Sequence, residues 1–241
     1  MLTVHNLTKY FGETKAVDAV NFTVQEGEIF SLIGPNSSGK TTIIKTILGL
    51  LQPTTGTITV NGYDVLTSPE KAKSVIGYIP DEPSVWQYMT GEEFLKFTQA
   101  LFSSSKKIHN STLSSLLSIF SLQGIEQKTF EEYSRGNKQK FSIIAALSHT
   151  PRLLLVDEPI VGLDPTGAEI AKQLFIDHAK KHNGAILLVT HTLSVAEQIS
   201  DRIGFLKNGS LVAVGTLEDL RKKAGLNTEA SLEDVYKKLA Q

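Results

Sequence analysis

Along this chain the spacing of apolar positions changes from strand-like to helix-like and back. Leu2, Val4 and Leu7 suggest a first strand. The alternation Val20, Phe22, Val24 suggests a second, closed by a turn at Glu26-Gly27-Glu28. Ile29 to Ile33 is apolar except at Ser31, the pattern of a central strand covered on both faces. A Gly- and Ser-rich loop follows, then a predicted helix from about Lys40 to Leu51. Thr57 to Val60 predicts a short strand, Asn61-Gly62 a tight turn, and a further strand ends at Pro80.

From about 90 to 150 the pattern becomes helical. Phe94, Phe97 and Leu101 share one helix face, and Leu113, Leu116, Leu117 and Phe120 another. Ser103 to Ser105 and Gly124 read as loops between these helices. Strand-like runs return at Leu153 to Val156 and at Ala185 to Val189, with a predicted helix from Thr166 to His182 between them. An Asn208-Gly209 hairpin and two amphipathic helices, about Leu217 to Ala224 and Ser231 to Leu239, close the chain. Alternating strands and helices argue for a layered α/β core with a largely parallel sheet, the 90–150 block being a helical insertion. The 241 residues are expected to form a single domain, with a helical tail over about 217–241.

Composition narrows the function classes. Lys plus Arg (24) nearly balance Asp plus Glu (25), so no overall charge draws the chain to nucleic acid or anionic lipid. The chain has no cysteine, which excludes disulfides, thiolate zinc sites and thiol catalysis. No apolar run approaches the roughly 18 residues that a membrane span needs, and MLTVHNLTKYFGETK lacks a signal-peptide core. A soluble, cytoplasmic protein is expected.

The chemistry begins at Gly34-Pro35-Asn36-Ser37-Ser38-Gly39-Lys40-Thr41, followed by Thr42, between a strand and a helix. This matches the phosphate-binding pattern G-x-x-x-x-G-K-[ST] in the context that pattern requires. Backbone N–H groups and the helix N-terminus surround a phosphate. Lys40 is expected to reach the β/γ-phosphates of a nucleotide, and the Thr41 hydroxyl to bind Mg²⁺. Leu153-Leu154-Leu155-Val156-Asp157-Glu158 runs four apolar residues into two carboxylates. Such an ending is often a strand meeting solvent. Beside the phosphate loop, Asp157 suits the Mg²⁺ shell and Glu158 the orientation of an attacking water. His191, just past another apolar strand, serves structure as readily as it serves a γ-phosphate and Glu158.

With these motifs and Tyr133-Ser134-Arg135-Gly136-Asn137-Lys138-Gln139-Lys140, the chain resembles the nucleotide-binding subunits of ATP-binding cassette (ABC) transporters. The last segment resembles the family's signature motif. Gly162-Leu163-Asp164-Pro165 resembles the D-loop, His191 the switch histidine, and Gly77-Tyr78-Ile79-Pro80-Asp81 the start of the Q-loop. Phe11 stands where the family's aromatic stacks on adenine. The resemblance implies an α/β fold: a P-loop NTPase core with a largely parallel sheet, an N-terminal antiparallel β subdomain and an α-helical insertion. It implies an ATPase using Mg²⁺, with ATP sandwiched between the phosphate loop of one subunit and Ser134, Gly136 and Asp164 of a second, identical or closely related. The other implied partners are integral membrane permease subunits, with no nucleic acid. The chain would then sit on the inner face of the cell membrane.

Some residues depart from the family pattern. Ser37 replaces the middle glycine of the phosphate loop, Arg135 the first signature glycine, Asn137 the signature glutamine, and Asp81 the Q-loop glutamine. A Tyr-Ser-basic-Gly signature, an acidic Q-loop residue and the ending Ser231-Leu232-Glu233-Asp234-Val235-Tyr236 resemble the ABC-2 exporter subgroup. Trp86, Tyr88 and Met89 fit either the core of the insertion or an apolar groove for a permease helix. Two rival functions are a soluble ABC ATPase acting on DNA or ribosomes and a nucleotide sensor without turnover. One cassette without heptads speaks against the first, and Lys40, Asp157, Glu158 and His191 against the second.

Overall fold

The computed structural model describes residues 1–83, 85–102, 110–160 and 162–240; the Ser103 to Ser105 loop lies outside them. The N-terminal alternation forms β1 (Leu2–Phe11) and β2 (Thr14–Val24), which pair antiparallel. β4 (Thr55–Val60) pairs antiparallel with β1, and β5 (Tyr63–Asp64) with β4. Asn61 and Gly62, at φ 51° and 80°, make the tight turn between β4 and β5. These strands form a sheet in the order β2-β1-β4-β5.

The long apolar runs form a second sheet. β3 (Ile29–Ile33), β6 (Ile76–Ile79), β7 (Leu153–Asp157), β8 (Ala185–Thr190), β9 (Arg202–Lys207) and β10 (Ser210–Gly215) lie in the order β10-β9-β3-β8-β7-β6. All neighbours are parallel except the β9–β10 hairpin. Every residue of β3, β7 and β8 is buried, as expected for strands covered on both faces. Ser31 fits this interior because its hydroxyl pairs with Ser200 Oγ at 2.5 Å.

Helix α1 (Lys40–Ile47) is shorter than its sequence pattern suggests: Leu48 caps it, and Gly49 turns the chain away at φ 67°. Helix α2 (Pro69–Lys73), absent from the sequence expectation, buries only Ala72. The helical block holds α3 (Gly91–Phe102), α4 (Asn110–Ile119) and α5 (Arg135–Ser148). Helix α6 (Pro165–His182) and α7 (Leu193–Ile199) follow strands β7 and β8. Helices α8 (Leu217–Ala224) and α9 (Leu232–Ala240) lie where their amphipathic patterns place them.

Three apolar cores result among the described residues. One includes residues of both sheets and α1; one joins α3, α4, α5 and α6 to β7 and β8; one seats α8 and α9 against β9 and β10. The face Phe94, Phe97, Leu101 is covered only in part: Phe94 packs against the core beside Phe130. Leu95 is 2 % exposed, whereas Phe97 is 42 % and Leu101 62 % exposed. Trp86 and Tyr88 stand 66 % and 80 % exposed, so the core reading of these two aromatics fails. Trp86 meets Phe97 edge to face at 5.7 Å. No described helix is long and apolar enough to cross a membrane.

Candidate functional site

Parallel β3, β8 and β7 lie side by side, so their C-terminal ends open on one edge, where ligands of open α/β sheets bind. From β3 the chain turns through Gly34 to Gly39 into α1. Gly39 has φ 106°, and a Cβ there would stand 2.5 Å from Ala16 O. Both facts demand glycine. Ser37 has φ 65°, the left-handed conformation that a side chain makes costly by about 1 kcal/mol. Ser38 Oγ is buried in the loop without a hydrogen-bond partner among the described residues.

Lys40 is buried, and its Nζ donates to Gly34 O at 2.6 Å and Pro35 O at 2.9 Å. Burial lowers its pKa below the ordinary lysine value, opposed by the charges of Glu158 and Asp157. At the end of β7, burial and the like charges of Glu158 and Asp81 push Asp157 up to about 6. Glu158 stands at φ 47°, its N–H donating to Val189 O at 2.9 Å. One carboxylate oxygen accepts from Thr190 Oγ1 at 2.8 Å, the other from the His191 N–H at 2.7 Å. His191 Nδ1 lies 2.6 Å from that second oxygen. The carboxylate of Glu158 is thus held at both oxygens from the end of β8.

These groups line a cavity of about 380 Å³. It brings together Asn36, Ser37, Gly39, Lys40, Thr41 and Thr42 of the loop, Asp157, Glu158, His191 and Asp81. Gly34, Pro35 and Ser38 are not part of the lining. Ala16 and Arg135 also line it, and nothing in the local sequence signals Ala16. Arg135 Nη2 lies 3.5 Å from Asp81 Oδ1, both side chains about half exposed, a pair worth roughly 1 kcal/mol or less. Phe11, 48 % exposed beneath Lys9 Nζ at 5.2 Å, is not part of the lining.

Ser134, Gly136 and Asp164 lie elsewhere, where the N-termini of α5 and α6 meet. Ser134 caps α5 by accepting from Asn137 N–H at 3.2 Å, and Asp164 caps α6 by accepting from Gly167 N–H at 3.3 Å. A Cβ on Gly136 would stand 2.8 Å from Gly162 O, and Lys140 Nζ pairs with Asp164 at 3.0 Å. This patch presents two helix N-termini, which favour anions.

Thr41 and Asp157 offer hard oxygen donors on one cavity wall, a set that suits Mg²⁺ shared with phosphate oxygens and water. Among the described residues, no group of three or more His, Asp or Glu could hold an ion alone.

Residues 17–161 match the family described as ABC transporter. The chain is 35 % identical over 234 residues, 97 % of its length and 75 % of the relative's, to the bacitracin transport ATP-binding protein BcrA of Enterococcus faecalis. A solved ATP-binding subunit of an ABC transporter superposes at TM-score 0.95 with 35 % identity, covering 100 % of both chains. A bacterial ABC transporter cassette solved as a dimer superposes at TM-score 0.80 with 25 % identity, covering 90 % of this chain and 99 % of that one.

Proposed function

The chain belongs to the ABC transporter family, and on that premise we propose that it is an ATP-hydrolysing subunit that dimerises over two ATPs and drives export through a separate permease. The observation that carries this reading is the convergence of Lys40, Thr41, Asp157, Glu158 and His191 on one cavity at the sheet's C-terminal edge.

ATP enters with its phosphates against the loop N–H groups. Lys40 exchanges the carbonyls of Gly34 and Pro35 for β/γ-phosphate oxygens. Thr41 and Asp157 would hold Mg²⁺, which would supply positive charge to offset that of the phosphate oxygens. Glu158, held by Thr190 and His191, orients the attacking water and draws on its proton. His191 uses Nδ1 on Glu158, which leaves Nε2 for the γ-phosphate. Thr42 and the remaining loop residues complete the phosphate contacts, and Phe11 stacks on the adenine.

Ser134, Gly136 and Asp164 serve the ATP of the second subunit, identical or closely related. Their place outside the cavity lining, at two helix N-termini, supports this division. The exposed Trp86, Tyr88 and Phe97, near Asp81 in sequence, support docking of an apolar permease helix. The chain then works peripherally on the inner face of the cell membrane. The Tyr-Ser-Arg-Gly signature and the likeness to a bacitracin transport protein support export as the direction. Calorimetric titration with MgATP tests the site. Lys40→Ala should bind no nucleotide while keeping its fold; wild-type affinity in that variant would refute the assignment.

A further inference from the structure

Resting on that reading of Glu158, we infer that Gln139 is a positioning residue for hydrolysis: its buried amide ties together the two loops that carry Asp81 and Glu158. Gln139 lies in the second turn of α5 and is completely buried. Its Nε2 donates to Pro80 O at 3.2 Å and to Pro159 O at 3.4 Å. Both amide hydrogens are thereby used on carbonyls adjacent to pocket carboxylates, because Pro80 precedes Asp81 and Pro159 follows Glu158. Both loop residues are prolines, without an N–H to anchor them otherwise.

The core does not require this residue type. Gln139 Oε1 is buried with no hydrogen-bond partner among the described residues, a desolvation cost that Leu or Met of similar size would not carry. The amide's two donated bonds are what an apolar side chain could not supply. They matter most at Glu158, whose left-handed backbone at φ 47° persists only if its surroundings fix it. Val189 O fixes it from β8 through the Glu158 N–H, and Gln139 fixes the next carbonyl from α5. One turn earlier on the same helix, Arg135 reaches Asp81 itself. Helix α5 therefore touches the Pro80–Asp81 turn twice and the Glu158 loop once.

Gln139→Leu and Gln139→Met keep the volume and remove the donors. The wild-type comparison reads kcat, KM for MgATP and melting temperature in the full chain. A positioning role predicts that kcat falls about 10- to 100-fold, as for a small misplacement of a catalytic group, with KM and melting temperature nearly unchanged. Unchanged kcat in either folded variant overturns the inference. So does unfolding of both variants, which would make Gln139 a core residue, or a KM rise that accounts for the whole loss. Glu158→Gln in parallel separates the two readings: if it turns over at the wild-type rate, the assignment of Glu158 fails. If it is inactive while the Gln139 variants are not impaired, only the positioning role fails.

Discussion

The cavity at the edge of the parallel sheet and the aromatic face of the helical block both present side chains outward, but on different terms. Around the cavity, Lys40, Asp157 and Glu158 are less than 10 % exposed and held by named partners or by opposing charge. On the helical block, Trp86, Tyr88, Phe97 and Leu101 are large, apolar and exposed. The first region has placed its polar groups at the cost of burial and of left-handed backbone at Ser37 and Glu158. The second keeps apolar surface in water, which a covering helix would relieve. The cavity's side chains are held in place within the chain, whereas the aromatic face is left uncovered by it.

The largest effect that sharpens this contrast belongs to Glu158. Glu158→Gln should lower kcat by roughly 10²- to 10⁴-fold and leave KM for MgATP near the wild-type value, because only the water loses its carboxylate. Steady-state phosphate release reads both parameters. A comparable loss from an exposed aromatic would erase the distinction.

Acid probes a different buried group, one that is kept neutral. His178, in the last turns of α6 and away from the cavity lining, is buried with Nε2 unpartnered, and its pKa is lowered to about 4 mainly by burial. The unfolded chain takes up this proton below its ordinary value of 6.5. The folded chain refuses it until about 4, so the group's contribution to stability falls as pH drops through that window. The shift corresponds to roughly 3 kcal/mol. The stability difference between wild type and His178→Leu should move by about that amount from pH 7 to pH 4, read by urea denaturation. A pH-independent difference would mean that His178 titrates normally. Using the variant as reference cancels the opposite contribution of Asp157, whose raised pKa makes the folded chain hold a proton up to about 6.

The smallest effect is on stability at the aromatic face. Trp86→Ala should change unfolding free energy by only about 0.5 kcal/mol and leave the isolated ATPase intact, while weakening co-purification with the permease. A large fall in melting temperature would return Trp86 to the core.

How much of this was legible in the chain depends on how local each determinant is. β3, β7 and β8 follow from continuous apolar runs, and the phosphate loop from residue types at fixed spacing, down to the cost at Ser37 once its φ of 65° is known. α2 was not legible because a short polar helix burying one alanine has no apolar period. Periodicity places Phe94, Phe97 and Leu101 on one face of α3 without saying which residues are covered: Leu95 packs inward and Phe94 against the core, while Phe97 and Leu101 stay exposed. Arg135 with Asp81 and Gln139 with Pro80 join positions more than fifty residues apart, beyond any local pattern.

On the proposed reading, the cavity holds MgATP and is completed by the α5 and α6 N-termini of a second subunit. Sedimentation of Glu158→Gln with MgATP tests it most directly, since every nucleotide contact remains while turnover stops. The expected species has twice the monomer mass and disappears when Ser134→Arg is added, although that double variant still binds ATP as a monomer. A Glu158→Gln chain that stays monomeric at saturating MgATP, or a Ser134→Arg chain that loses ATP affinity as a monomer, would contradict it.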